Sequence, residues 1–302
     1  MSFGDRHSNT PFYHCSKEHL IDGIPDRFVA LASPVVAYWS LSLFFHYLDL
    51  SGWKWLEKYR IHESAEAKSK NLVSRSHVVR AVFVQQVIQT LIGLLWMSEE
   101  RTVSNHAKRM WEIETLFQYS CLGKFGRAAL PQLAYMIYWW IIPIGQLLFA
   151  MFAIDTWQYF LHRLMHTNKF LYRHFHSWHH RLYIPYAFGS LYNHPFEGFL
   201  LDTLGAVFAE RLADMTTRQA MVLFTLSTVK TVDDHCGYNL PFDPLQLLTR
   251  NNADYHDIHH QAIGIKSNFA QPFFVHWDAL LGTRLTRQDI QHRQRREEAK
   301  MK

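Results

Sequence analysis

One long uncharged segment, residues 129–154, constrains the fold of this chain more than any other feature. It holds 26 residues without a single Asp, Glu, Lys or Arg, and a transmembrane helix needs about 20 mostly apolar residues. Pro143 lies in its middle, which predicts one kinked membrane-spanning helix in place of two short ones. The protein is therefore expected to be embedded in a membrane.

Two further segments, residues 31–48 and 81–97, also have the length and composition of membrane spans. In the second, Gln85, Gln86 and Gln89 recur at helical spacing, which indicates a face turned towards other helices and away from lipid. We therefore expect three spans.

Residues 198–209 and 219–229 form a pair of shorter apolar runs. Each is short for a straight crossing, so a hairpin that enters the membrane in part is as consistent with the sequence as two full spans. Asp202 would be costly in lipid and should face protein or the functional site. The predicted fold is thus an all-α integral membrane protein with about four transmembrane helices or hairpin segments and a histidine-rich di-metal domain at the membrane edge.

No repeat, low-complexity segment or Gly/Ser linker divides the chain. We expect a polar N-terminal segment (residues 1–30), a membrane domain (31–283) and a charged C-terminal tail (284–302). The basic excess in this tail is consistent with a solvated tail or with a patch for anionic lipid or an acidic redox partner. Elsewhere the basic residues are spread along the chain, so no nucleic-acid partner is expected.

Histidines cluster in three short motifs, HRLMH, HSWHH and HDIHH, in the second half of the chain. Residues three and four apart share one face of a helix, so each HxxHH motif would direct three imidazoles the same way, and HxxxH would direct two. The first motif follows directly after the uncharged segment, which places the cluster at the membrane surface. The motifs contain His162, His166, His176, His179, His180, His256, His259 and His260.

Neutral imidazole is a good ligand for iron, zinc, copper and nickel. Eight ligands exceed what one ion can accept, so two metal ions are implied. A structural zinc ion would close its shell with four ligands, whereas two irons with open positions could bind and activate dioxygen. His194 and His235 lie outside the motifs but return towards them if the hairpin folds back, and we expect both to be additional ligands.

A metal-bound imidazole usually donates its second ring N–H to a carboxylate or carbonyl oxygen. Asp155 precedes His162 by seven residues and would share its helical face. Glu197, Asp233 and Asp234 are the other candidates for this role, whereas Asp257 is expected to face solvent. Asp233 or Asp234 could instead bind the cationic head group of a substrate.

With these motifs, the chain resembles the sterol desaturase and fatty acid hydroxylase superfamily of membrane di-iron oxygenases over residues 30–280. The connecting strings are more specific. They are similar to those of the sphinganine C-4 hydroxylase branch, as in DTWQYFLHRLMH (155–166), PYAFGSLYNHPFEGFLLDTLG (185–205), RQAMVLFTLSTVKTVDDHCGY (218–238) and YHDIHHQAIGIKSNFAQPFF (255–274).

This resemblance implies insertion of one oxygen atom from O2 at C-4 of sphinganine or dihydroceramide, which gives phytosphingosine in sphingolipid biosynthesis. It also implies two iron ions, held by the histidines of the motifs with His194 and His235, and residence in the endoplasmic reticulum membrane with the metal site facing the cytosol. No HPGG haem motif is present, so electrons from NAD(P)H are expected through a separate b-type cytochrome and its reductase.

Other functions share part of this pattern. Sterol C-5 desaturases and C-4 methyl oxidases carry the same boxes, and only the strings between the boxes argue against them. The fatty acid 2-hydroxylase branch has four residues between the histidines of its first box, whereas this chain has three. A membrane metal transporter could also present histidines at helical spacing, but transport sites usually include carboxylates within the spans.

Overall fold

The computed structural model describes residues 10–97, 105–119 and 128–301, so residues 1–9 of the expected N-terminal segment lie outside it. Over the described residues the chain is helical, with isolated β-bridges but no β-strand. The predicted all-α class is confirmed.

The α-helices of this part of the chain are, in order, α1 (Asp26–Ser51), α2 (Lys54–Glu57), α3 (Ser64–Lys70), α4 (Arg75–Trp96), α5 (His106–Gln118), α6 (Leu130–Met136), α7 (Ile142–Thr167), α8 (Lys169–His174), α9 (Pro195–Gly198), α10 (Leu204–Leu212), α11 (Thr217–Asp234), α12 (Pro244–Thr249), α13 (Ala253–His260), α14 (His276–Leu280) and α15 (Arg287–Met301). A π-helical turn, Ile137–Ile141, joins α6 to α7, and a second, Phe199–Thr203, joins α9 to α10. The segments His176–Arg181 and Ala187–Leu191 are 3-10 helices.

Three helical segments are long and apolar enough to cross a membrane: α1, α4 and the continuous segment Leu130–Thr167. The last one comprises α6, the π turn and α7, so the predicted single span with Pro143 inside it is confirmed. Its 38 residues correspond to a length of about 57 Å at the helical rise per residue. Because the hydrocarbon core of a bilayer is about 30 Å thick, this segment is longer than a straight crossing requires.

The predicted hairpin corresponds to the second π turn, α10 and α11. Helix α10 packs on α7, and α11 packs on α1. Helix α11 begins with a capping box, in which Thr216 and Gln219 satisfy each other's backbone N–H groups. Neither helix is among the three candidate spans found in residues 10–97, 105–119 and 128–301, so three spans are supported and a fourth is not confirmed.

The polar side chains of α4 face protein, as predicted. Gln86 accepts a hydrogen bond from the Trp39 indole of α1 (2.8 Å), and Gln89 donates one to the Gly198 carbonyl oxygen (3.2 Å). Phe149 and Phe152 of α7, by contrast, are 47% and 43% exposed. These two aromatic side chains therefore suit contact with lipid.

We expect Gly264→Ala to destabilise the fold next to α13. A Cβ atom at Gly264 would lie 1.9 Å from the backbone oxygen of Ile258, and backbone atoms cannot yield as a flexible side chain would. Overpacking of this kind costs about 1–3 kcal/mol. Chemical denaturation in detergent micelles measures the change in the free energy of unfolding.

Gly145→Ala is the matched control, because a Cβ atom at Gly145 meets nothing within 4 Å. Its unfolding free energy should stay within about 1 kcal/mol of the wild type, since alanine is the better helix former. Equal stability of the two variants would contradict the close approach of Gly264 to α13.

Candidate metal centre

The first histidine motif lies on the last turns of α7. His162 and His166 are one helical turn apart, and their Nε2 atoms lie 3.2 Å from each other. The Nδ1 atom of His162 faces the Phe269 carbonyl oxygen at 2.8 Å. The loop after α13 therefore fixes the orientation of this ring.

The histidines of the second motif are divided between two groups of imidazoles, and so are those of the third motif. HSWHH forms a 3-10 helix and not an α-helix, whereas HDIHH is the end of α13. In both motifs two imidazoles join one group and the third joins another, so the expectation that all three would point the same way is wrong. The second and third motifs thus each contribute to both groups.

Two groups of imidazoles result, which we call group A and group B. Within each group one nitrogen from every ring lies within 4.8 Å of all the others. Group A consists of His162, His166, His176, His180 and His259, and group B consists of His179, His235, His256 and His260.

The contacts within group A have the spacing of metal ligands. The Nε2 atoms of His162, His176, His180 and His166 form a closed ring with successive separations of 3.1, 3.1, 3.2 and 3.2 Å. Two nitrogens that each bind one ion at about 2.1 Å, at right angles, lie about 3.0 Å apart. The buried Nε2 atom of His259 completes the group and has no hydrogen-bond partner among the described residues.

Group B has a similar spacing. The Nε2 atom of His256 lies 3.0 Å from that of His235 and 3.1 Å from that of His260, and His235 and His179 are 3.4 Å apart. The two groups adjoin each other, since the ring centroids of His180 and His260 are 4.8 Å apart. The convergence predicted from the sequence is therefore present.

Hydrogen bonds on the outer side of the rings determine where their lone pairs point. The Nδ1 atoms of His162, His179, His235, His259 and His260 face the carbonyl oxygens of Phe269, Tyr192, Thr231, Ser267 and Leu182, at 2.7–3.2 Å. A carbonyl oxygen only accepts, so each Nδ1 carries the hydrogen and each Nε2 of the neutral ring has a free lone pair.

Lone pairs that face one another repel unless a cation lies between them. In group B, His235 and His179 bring two such Nε2 atoms to 3.4 Å, with no hydrogen available between them. This donor set fits a metal ion, because coordination converts the repulsion into bonding.

Burial keeps these imidazoles neutral. It lowers the pKa of His179 to about 4 and that of His259 to about 3, and it lowers the pKa values of His176, His235 and His256 well below the usual range. Protons therefore do not compete with a metal ion for these nitrogens at neutral pH.

Of the two additional ligands predicted, the structure brings in His235 but not His194. The ring of His194 packs against Phe175 and Trp178, and its Nδ1 atom accepts a hydrogen bond from the Phe196 backbone N–H (3.2 Å) as the cap of α9. Because Pro195 follows it, His194 begins this helix and points away from both groups.

Glu197 holds a position that the sequence predicted for a carboxylate. Its Oε1 atom lies 2.5 Å from Nδ1 of His176, and both side chains are buried. Burial raises the pKa of Glu197, and the nearby Asp202 raises it further. Glu197 is thus the carboxylate that orients a ring of group A.

The other three carboxylates do not contact imidazoles in this way. Asp155 accepts hydrogen bonds from the backbone N–H groups of Phe273 and Phe274, at 3.1 and 2.5 Å. Because these residues follow Phe269 in the same loop, Asp155 supports His162 through the loop and not directly.

Asp233 and Asp234 also bind partners other than the imidazoles. Asp233 accepts one from the Gln246 amide (3.1 Å), and Asp234 forms a short ion pair with Lys230. Both side chains are buried at the end of α11. These contacts favour a role in positioning His235 over binding of a substrate head group.

The sequence did not predict that Asp257 is buried. It was expected to face solvent, but it is 2% exposed, and its carboxylate contacts Nε2 of His62 at 2.8 Å and Nη2 of Arg287 at 2.5 Å. Both partners are far from Asp257 in the sequence, so no local pattern could have found them. This contact attaches α13 to α15 and to the loop before α3.

Comparisons with known proteins agree with this geometry. The family model for fatty acid hydroxylase matches residues 147–283. A sphingolipid C4-hydroxylase of Saccharomyces cerevisiae is 50% identical over 286 residues, which cover 93% of this chain and 78% of the relative. Sphinganine C4-monooxygenase 1 of Arabidopsis thaliana is 44% identical, over 86% of this chain and 88% of the relative.

A relative with a different name is also similar. A very-long-chain aldehyde decarbonylase of Oryza sativa is 40% identical, over 87% of this chain and 90% of the relative. No solved structure matches. The matched residues 147–283 include all nine imidazoles of groups A and B, and the chain belongs to the fatty acid hydroxylase family.

Proposed function

We propose that this protein is a sphinganine C-4 monooxygenase of the endoplasmic reticulum membrane, with its metal site facing the cytosol. One oxygen atom of O2 would enter the C-4 carbon–hydrogen bond of a long-chain base, and two electrons and two protons would reduce the other atom to water. The observation that carries this proposal is the pair of adjoining imidazole groups at the end of a membrane span. The names and coverage of the relatives from yeast and Arabidopsis support the substrate.

Two iron ions are the proposed cofactor, one in each imidazole group. When bound, they would supply the activation of O2 that amino-acid side chains cannot perform. Electrons from NAD(P)H would arrive through a separate b-type cytochrome and its reductase. The membrane domain, residues 31–283, would contain the whole site.

The residues themselves would hold and protect the metal centre. Five neutral imidazoles surround the position of group A, one more than the four ligands that close the shell of a structural zinc ion. Neutral ligands leave the charge of the ions undiminished, and the burial of these rings excludes water. No carboxylate belongs to either group, which argues against a transport site that mixes carboxylates with histidines.

We expect His235→Ala to remove metal from group B and His194→Ala to leave both ions in place. The wild-type protein should hold about two metal ions per chain, and loss of one of the four ligands of group B should reduce this to about one. Inductively coupled plasma mass spectrometry of the purified variants measures the content. Loss of metal from His194→Ala would contradict this and would indicate that His194 contributes to metal binding.

Glu197→Gln should weaken metal binding in group A without unfolding the protein. The amide keeps the shape of the side chain but removes the charge that stabilises the His176 ring, and such changes cost about 10–100-fold in metal affinity. Competition with a chelator measures this affinity. Glu63→Gln, the same change at an exposed side chain, is the control and should behave as the wild type.

Expression of this chain in cells that lack C-4-hydroxylated long-chain bases should restore phytosphingosine, as measured by lipid mass spectrometry. His180→Ala should not restore it, because this ring belongs to group A. Altered sterols with an unchanged long-chain base profile would favour the sterol oxidase alternative. Hydrocarbons formed from long-chain aldehydes would favour the activity named for the rice relative.

A further inference from the structure

A cavity lies between α1, α4, the second π turn, α10 and α11, outside both imidazole groups. Most of its wall is apolar, but carboxyl, hydroxyl and amide side chains also line it. It is lined by Ala30, Leu31, Trp96, Met97, Asp202 and Thr203, among others.

One end of this cavity adjoins the metal centre. Asp202 follows Glu197 by five residues in adjoining helical turns, and Glu197 contacts His176 of group A. The Oδ1 atom of Asp202 also lies 3.4 Å from the Gln158 amide, one helical turn before His162. The opposite end lies at Trp96 and Met97, where α4 ends.

Two polar atoms at the near end lack a hydrogen-bond partner in the described part of the protein. The Oδ2 atom of Asp202 and the Oγ1 atom of Thr203 are buried without a hydrogen bond among the described residues. The glutamines that line the cavity already form hydrogen bonds, Gln86 with the Trp39 indole and Gln89 with the Gly198 carbonyl oxygen. An unpaired buried oxygen costs free energy, and a buried carboxylate costs more.

Asp202 and Thr203 both lie in the second π-helical turn, a conformation that is frequent at functional sites. The turn is tied to α7 by the Trp157 indole, which donates a hydrogen bond to the Leu200 carbonyl oxygen (2.9 Å).

We propose that this cavity binds the substrate as a free long-chain base, with the ammonium group on Asp202, the neighbouring hydroxyl on Thr203 and the alkyl tail along the apolar wall towards Trp96. This inference rests on the proposed function. Among the described residues no Lys or Arg forms an ion pair with Asp202, so the ammonium group would supply the missing positive charge. In sphinganine the amine is on C-2, so a head group held at Asp202 keeps C-4 close to the metal centre.

Asp202→Asn tests the head-group contact with two lipids. For sphinganine, KM should rise at least tenfold, because the amide removes the negative charge that pairs with the ammonium group. N-acetylsphinganine, whose nitrogen is uncharged, should show an unchanged KM. Asp22→Asn, the same change at a side chain that is 84% exposed, is the matched control.

Two further measurements separate binding from catalysis. Binding of radiolabelled sphinganine to metal-free protein in nanodiscs should weaken by the same factor in Asp202→Asn, and the iron content of the loaded variant should equal that of the wild type. Unchanged binding, an equal effect on both lipids, or loss of iron would each overturn the proposal. If the wild type hydroxylates neither lipid, the proposed function fails, whereas the binding measurement still tests Asp202.

Val207→Phe tests the placement of the tail. Val207 lines the cavity on α10, so a larger side chain there should shorten the space for an alkyl chain. The ratio of kcat/KM for a 14-carbon base to that for an 18-carbon base should rise at least fivefold. An unchanged ratio would show that the tail lies elsewhere.

Discussion

Hydrogen bonds from imidazole Nδ1–H groups to backbone carbonyl oxygens are the interaction on which the rest of this structure depends. Each bond fixes the tautomer of a ring and turns its Nε2 lone pair inward. The acceptors lie in segments remote in sequence, such as Phe269 for His162 and Leu182 for His260. The metal centre is therefore formed by loops that tie the histidine motifs together, and the membrane helices serve as its support.

The three spans and the inward face of α4 could be predicted from the sequence, because each depends on local composition or periodicity. The sequence could not predict how imidazoles are divided between groups A and B. That division depends on the 3-10 conformation of His176–Arg181, which a helical pattern does not distinguish from an α-helix. Nor could it separate His235 from His194, because both lie outside the motifs and only the path of α11 in the tertiary fold brings His235 to group B.

Carboxylates were the least predictable part of the site. Glu197 contacts His176 directly, whereas Asp155 acts on His162 only through the loop that it anchors. Asp257 was assigned to solvent because its neighbours in sequence gave no reason to bury it, yet it joins His62 and Arg287. A carboxylate has no periodic signature, so its role depends on which distant donors the tertiary fold delivers.

The position of the imidazole groups at the end of a candidate membrane span fits the proposed amphipathic substrate. Helix α7 carries His162 on its last turns, while the cavity beside α4 extends from Asp202 towards Trp96. A lipid whose reactive carbon lies close to its polar head needs this arrangement, with polar partners next to the metals and an apolar wall behind them. The Oδ2 atom of Asp202 and the Oγ1 atom of Thr203 have no hydrogen bond within the part of the chain that the structure describes, and this is a cost to the free protein that the proposed free base would remove.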